Sequence, residues 1–228
     1  MRLYLIRHGE TAWSLSGQHT GRTDIPLTPQ GEERVRALAE RLQAVTFSRV
    51  FTSPRQRARR TCDLVGLGAV AEIEPDLAEW DYGDYEGQRS VEIRKHRPDW
   101  NLFRDGCPHG ESPASVSDRA DRLIARLGTL QGNVAVFSHG HFGRVLAVRW
   151  IGLPVGHALH FLLGTASVSV LEDEENSANA AAIVLWNAGS NAIIEAGPEQ
   201  RTRDKEKTPN TNAIERWDDE GGETDQLA

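Results

Sequence analysis

Two histidines and two arginines of this chain stand directly after short apolar runs. Arg7-His8-Gly9 follows Leu3 to Ile6, Arg55 follows Val50 to Thr52 through Ser53-Pro54, and Ser138-His139-Gly140 follows Val134 to Phe137. An arginine guanidinium is a planar fork of donors that matches phosphate oxygens, so two forks can hold a phosphoryl group and neutralise its charge. One imidazole can then attack phosphorus in line, while the other, if protonated, adds a further donor. Gly9 and Gly140 carry no side chain, which lets a ligand approach the backbone closely. Arg55 lies at a strand-to-helix turn, where the helix dipole favours an anion. Arg57, Arg59 and Arg60 read instead as the solvated face of the helix that follows.

Such motifs converge if the runs before them are neighbouring strands, because open parallel sheets bind ligands beyond the carboxyl ends of their strands. Leu3 to Ile6, Val50 to Thr52, Val70 to Ile73 and Val134 to Phe137 are short enough for buried strands. Helices alternate with them. Thr28-Pro29 opens one with Val35, Leu38, Ala39 and Leu42 at helical spacing, and Ser53-Pro54 caps another through Cys62, Leu64 and Val65. A third carries Val116, Ala120, Leu123, Ile124 and Leu127, and a fourth follows His139 through Trp150. This rhythm predicts an α/β fold in three layers, a mostly parallel sheet with helices on both faces. Ala166 to Leu171 and Ile183 to Trp186, around a charged linker from Glu172 to Ser177, predict a hairpin on the sheet edge. The stretch from about 76 to 110, rich in Trp, Asp, Gly and Pro, reads as an irregular, lid-like insertion. Residues 1–198 form the expected domain. From 199 to 228 nine acids face five bases with few apolar residues, a polar, mobile tail in which Trp217 is the one anchor.

The net charge of -7, from 33 acids and 26 bases, excludes a broad nucleic-acid surface. No apolar run approaches the roughly 20 residues of a membrane helix. The N-terminus reads as a first strand rather than a secretory signal. Cys62 and Cys107 supply neither a disulfide framework nor a thiolate zinc site, and point to a reducing cytoplasm. His139 and His141 have a metal-like spacing, but Arg7 and Arg55 would repel a cation. The expected partner is a small phosphorylated metabolite, with no nucleic acid, membrane, metal or cofactor; self-association into a homo-oligomer is left open.

Taken together, Leu5-Ile6-Arg7-His8-Gly9-Glu10-Thr11, Thr20-Gly21, Pro26-Leu27-Thr28 with Gly31, Thr52-Ser53-Pro54-Arg55 with Ala58 and Thr61, Leu77-Ala78-Glu79 through Gly83 to Glu86-Gly87, and Ser138-His139-Gly140 resemble the histidine phosphatases, the phosphoglycerate mutase-like superfamily, over roughly residues 1 to 190. The resemblance implies that His8 becomes phosphohistidine, that Arg7, Arg55 and His139 bind the phosphoryl group, and that Glu79 donates the proton, without a metal. Asp81, Asp84 and Glu86 are its neighbours; the first two read as a solvated loop and Glu86 as a loop-ordering residue. Thr20-Gly21 and Gly110-Glu111-Ser112 are shared with the cofactor-dependent mutases. Those enzymes, however, have an asparagine where this chain has Ser14, and a paired arginine and a lysine that Arg89, Arg94, Lys95 and Arg97 do not reproduce. The chain looks closer to a phosphatase branch that includes sugar-bisphosphatases. A pseudoenzyme would have lost a pocket residue, and none of the five is missing. Ser14, Gln18, Thr20, Gly21, Gly140 and Arg144 are the candidate substrate contacts, with Ser16 and His19 as weaker ones. Arg144, about one helical turn past Gly140, is the candidate for a second phosphate.

Overall fold

Leu3, Tyr4, Leu5 and Ile6 are all fully buried because β1 (Arg2–Arg7) runs through the middle of a six-stranded sheet. Successive side chains of a strand point to opposite faces. Leu3 and Leu5 therefore enter one core with Val134 and Val136, while Tyr4 and Ile6 enter the other with Ala135 and Phe137. Burying each such side chain contributes about 1.5–3 kcal/mol, so a strand apolar on both faces belongs at the centre.

The computed structural model describes residues 1–173 and 181–189. The remaining strands are β2 (Arg49–Thr52), β3 (Ala71–Ile73), β4 (Asn133–Ser138), β5 (Ser167–Asp173) and β6 (Ala181–Ala188). Their spatial order is β3-β2-β4-β1-β5-β6. The first four are parallel, and β5 and β6 add antiparallel at the other side. The sheet is thus mixed but mostly parallel, and the edge pair falls where sequence patterning places a hairpin. The end of the charged linker, the boundary at 198, the tail and Trp217 lie outside the described residues.

Helix α1 (Ala12–Ser16) follows β1, and α2 (Pro29–Gln43) is capped by the Thr28 hydroxyl, which accepts from Gly31 N at 2.9 Å. Its buried Val35, Leu38 and Leu42 cover one face of the sheet together with Ala58 and Cys62 of α3 (Gln56–Leu64). Short helices α4 (Ser90–His96) and α5 (Leu102–Asp105) lead to α6 (Pro113–Leu127), and α7 (Gly140–Trp150) follows β4. Helices α6 and α7 cover the opposite face. Among the described residues no helix is long and apolar enough to cross a membrane.

Two expectations need correction. Helix α3 starts at Gln56 with Arg55 as its N-cap, and not at Ser53-Pro54. The stretch from 76 to 110 is not irregular throughout: it contains α4 and α5, and buries Leu77, Trp80, Tyr82, Ile93, Trp100, Leu102 and Phe103 in the α6 and α7 core. The first loop, between β1 and α2, contains a helix that the sequence pattern does not show, α1, closed by reciprocal bonds between Thr11 and Ser14. Helices this short depend on caps and packing and show almost no apolar periodicity.

Candidate active site

The chemistry-bearing motifs follow three adjacent parallel strands in the order β2, β4, β1. Register keeps their ends level, with Arg7 opposite Ser138 and Thr52 opposite Phe137. The ladder continues one step beyond the strands, through His8 N to Ser138 O and Ser53 N to Phe137 O. His139 leaves the middle strand, so its ring comes to lie between the other two. The His8 and His139 rings meet edge to face with centroids 5.2 Å apart.

Each ring has one tautomer imposed on it. His8 Nδ1 lies 2.6 Å from Gly9 O, and a carbonyl can only accept, so Nδ1 carries the hydrogen and Nε2 keeps its lone pair. His139 Nδ1 accepts from Arg57 Nε at 3.2 Å, which leaves Nε2 as the N–H, 2.7 Å from the Ser53 hydroxyl. Burial, then Arg57, pushes both imidazoles well below the ordinary value. His139 is therefore a neutral donor; it does not need to be protonated to offer a hydrogen.

Arg7 donates through Nη1 to Leu163 O. A Cβ at position 140 would lie 3.0 Å from its Cζ, so glycine there lets the guanidinium slide beneath the start of α7. The Nε atoms of Arg7 and Arg55 are both buried with no hydrogen-bond partner among the described residues. Unpaired buried donors of cationic groups are costly, and both guanidinium groups thus have an N–H to offer an oxygen acceptor.

Glu79 is 9% exposed and stands at the N-terminus of α7. Its Oε1 accepts from Phe142 N at 2.7 Å and Trp80 N at 2.9 Å, and Oε2 accepts from His141 N at 3.1 Å. The segment carrying it is clamped from α6. Arg119 donates to Asp76 O and Ala78 O at 2.8 and 2.7 Å and grips Glu111 with two nitrogens, while Glu111 accepts from Asp81 N at 2.9 Å. Gly110-Glu111-Ser112 serves here as scaffold for Glu79 and as the cap of α6.

Arg57 overturns the expectation of a solvated helix face. It is fully buried and donates to Thr20 O, Gly21 O and Thr23 O besides His139. Its position was readable, because Arg57, Ala58, Thr61 and Cys62 form the single buried stripe of α3. Arg119 occupies the same kind of position, between Val116 and Ala120 on the buried face of α6.

The candidate substrate contacts separate. The Ser14 hydroxyl is used to close the cap of α1, and the Gln18 amide donates to Gly87 O at 2.9 Å. Thr20 and Gly21 offer their carbonyls to Arg57, and Gly21 N donates to Glu86, which also holds Thr23 N and so orders the first loop. Asp81 and Asp84 pair with Arg22 and His109. Arg144 gives Nε to Ala158 O at 2.9 Å and an Nη to Leu159 O at 3.0 Å, and lies over the Phe103 ring. It ties α5, α7 and the turn at 155–160 together through two of its five N–H groups, and three remain for a ligand.

Residues 3–188 match the family described as the histidine phosphatase superfamily (branch 1). Among similar proteins is an acid phosphatase of Mycobacterium tuberculosis, 43% identical over 173 residues, covering 74% of this chain and 85% of the relative. A sedoheptulose 1,7-bisphosphatase of Saccharomyces cerevisiae is 40% identical over 186 residues, covering 68% of this chain and 69% of the relative. The solved structure of an open reading frame product of M. tuberculosis superposes with a TM-score of 0.78 at 39% identity, covering 83% of this chain and 98% of that one.

Proposed function

Because the chain belongs to branch 1 of the histidine phosphatase superfamily, and is a phosphatase acting on phosphorylated substrates, we propose that it hydrolyses small sugar phosphates or bisphosphates without a metal, through phosphohistidine at His8. The observation that carries this reading is the 2.6 Å contact from His8 Nδ1 to Gly9 O, which leaves Nε2 as the free nucleophile. Nε2 attacks phosphorus, an N–P bond forms and the P–O bond to the leaving group breaks. The leaving oxygen takes the proton of Glu79. The Nδ1–H bond to Gly9 O strengthens as the ring becomes cationic. Glu79, now a carboxylate, takes a proton from water as the water oxygen attacks phosphorus; the N–P bond breaks and phosphate leaves. Arg7 and Arg55 stabilise the charge on the transferring group at both steps, and the His139 Nε2–H joins them by exchanging the Ser53 hydroxyl for a phosphoryl oxygen.

Similarity to the yeast sedoheptulose 1,7-bisphosphatase and the motifs shared with sugar-bisphosphatases support a sugar as the leaving group. Both cysteines are free and buried, which suits a cytoplasmic home. A screen of sugar monophosphates, bisphosphates and phosphoglycerates, with and without 2,3-bisphosphoglycerate, tests the substrate class. In the same screen Glu79→Gln is expected to slow a sugar phosphate by about 100-fold or more and 4-nitrophenyl phosphate by much less, since nitrophenolate leaves without a proton. Equal losses on the two substrates would take the acid role away from Glu79.

A further inference from the structure

Beside Glu79 lies a second polar centre that the phosphoryl-transfer steps leave unused. His141 N donates to Glu79 Oε2, while the ring of the same residue lies with Nδ1 2.6 Å from the Tyr82 hydroxyl. Aromatic rings surround this pair. His19 stacks on Tyr82 at 4.6 Å and lies 5.7 Å from His141, Phe103 meets the His141 ring edge-on at 5.6 Å, and Trp100 stands 5.7 Å from His19. Ser90 Oγ holds His19 Nε2 at 3.2 Å.

The hydrogen between Tyr82 and His141 has a preferred place. A phenol is the stronger donor and an imidazole nitrogen the stronger acceptor, so Tyr82 O–H donates to Nδ1 and the hydrogen of His141 is carried by Nε2. That Nε2 has no hydrogen-bond partner among the described residues. Burial, then the nearby Arg144, His19 and Arg7, pushes the imidazole well below its ordinary value, so the ring is uncharged at neutral pH. An uncharged N–H on the residue whose backbone N–H holds Glu79 suits a hydroxyl oxygen better than a phosphate, which the arginines attract. The rings around it offer faces to the C–H groups of a carbon chain.

We propose that His141 determines specificity: its Nε2–H donates to a hydroxyl of a polyhydroxylated leaving group whose bridging oxygen takes the Glu79 proton. Tyr82 is the positioning residue that holds the tautomer. This deepens the sugar-phosphate reading above and rests on it.

The test compares kcat/KM for fructose 1,6-bisphosphate with that for 4-nitrophenyl phosphate, whose leaving group has no hydroxyl chain. His141→Phe keeps a ring against Phe103 and removes the donor. It is expected to lower the ratio of the two specificities by about tenfold or more, chiefly through KM for the sugar phosphate. His141→Gln keeps an N–H and is expected to recover part of the ratio even if the phenylalanine variant folds poorly. Tyr82→Phe is expected to shift the ratio in the same direction by less. Parallel losses on both substrates in His141→Phe and His141→Gln, with the ratio held, overturn the role of His141 and leave the sugar-phosphatase reading standing. A wild-type enzyme that hydrolyses 4-nitrophenyl phosphate but not the sugar phosphate overturns both, and leaves only a phosphatase of other substrates.

Discussion

His8→Ala is expected to hydrolyse phosphomonoesters at least about a thousandfold more slowly than the wild type, because no other group in the pocket can form the covalent intermediate. The loss is chemical rather than structural. His8 is 5% exposed, but its ring makes one hydrogen bond, to the neighbouring Gly9 O, while its backbone bonds to Ser138 O and Ala166 N do not depend on the side chain. The variant should therefore fold, with a stability cost of about 1–3 kcal/mol, and should still bind phosphate through Arg7 and Arg55. In the wild type, burial, then Arg57 and Arg7, disfavours the imidazolium. His8 thus stays unprotonated as pH falls through 6.5, and the acidic limb of kcat/KM should lie well below that value. Steady-state rates of the two proteins across this pH range check both points. A residual rate within tenfold of the wild type would show that His8 is not the nucleophile.

Arg57→Ala is expected to be the most damaging single change to stability, at about 3–5 kcal/mol out of the 5–15 kcal/mol typical of a domain. The guanidinium reaches three carbonyls of the first loop and the ring of His139, so its removal strands Thr20 O, Gly21 O, Thr23 O and His139 Nδ1 together. Arg57→Lys should not rescue it, because an ammonium cannot span partners that the planar fork reaches at once. Turnover should fall with stability, since His139 loses the bond that sets its tautomer. Denaturant midpoints measure the first effect, and rates at a temperature where the variant remains folded measure the second. A midpoint near the wild type would mean that water replaces Arg57 at little cost.

The strand ends were legible because burial on both faces forces continuous apolar runs such as Leu3 to Ile6, and because the residues after them are few and chemically distinctive. The helices α2 and α6 were legible because their buried faces carry apolar residues at helical spacing, and α2 also from its cap at Thr28; the Ser112 cap of α6 emerges only in the structure. Helices α1, α4 and α5 were not, since four to seven residues cannot show a period. Arg57 was hidden by company: among Arg55, Arg59 and Arg60 it looks like one of a charged face, and only its alignment with Ala58, Thr61 and Cys62 marks it as inward. Arg144 has a structural role besides the one its spacing suggests. Its distance from Gly140 suits the pocket, and the carbonyls that also hold it come from 158 and 159, a turn whose approach to α7 depends on tertiary packing.

The central claim, covalent catalysis at His8 without a metal, is tested most directly by rapid acid-free quench of the enzyme with radiolabelled substrate. The account predicts a phosphoenzyme that is labile to acid and stable to base, located on the peptide containing His8, absent from His8→Ala, and formed equally well after treatment with EDTA. Turnover without any trapped phosphoenzyme, abolished by EDTA and restored by magnesium, would contradict it.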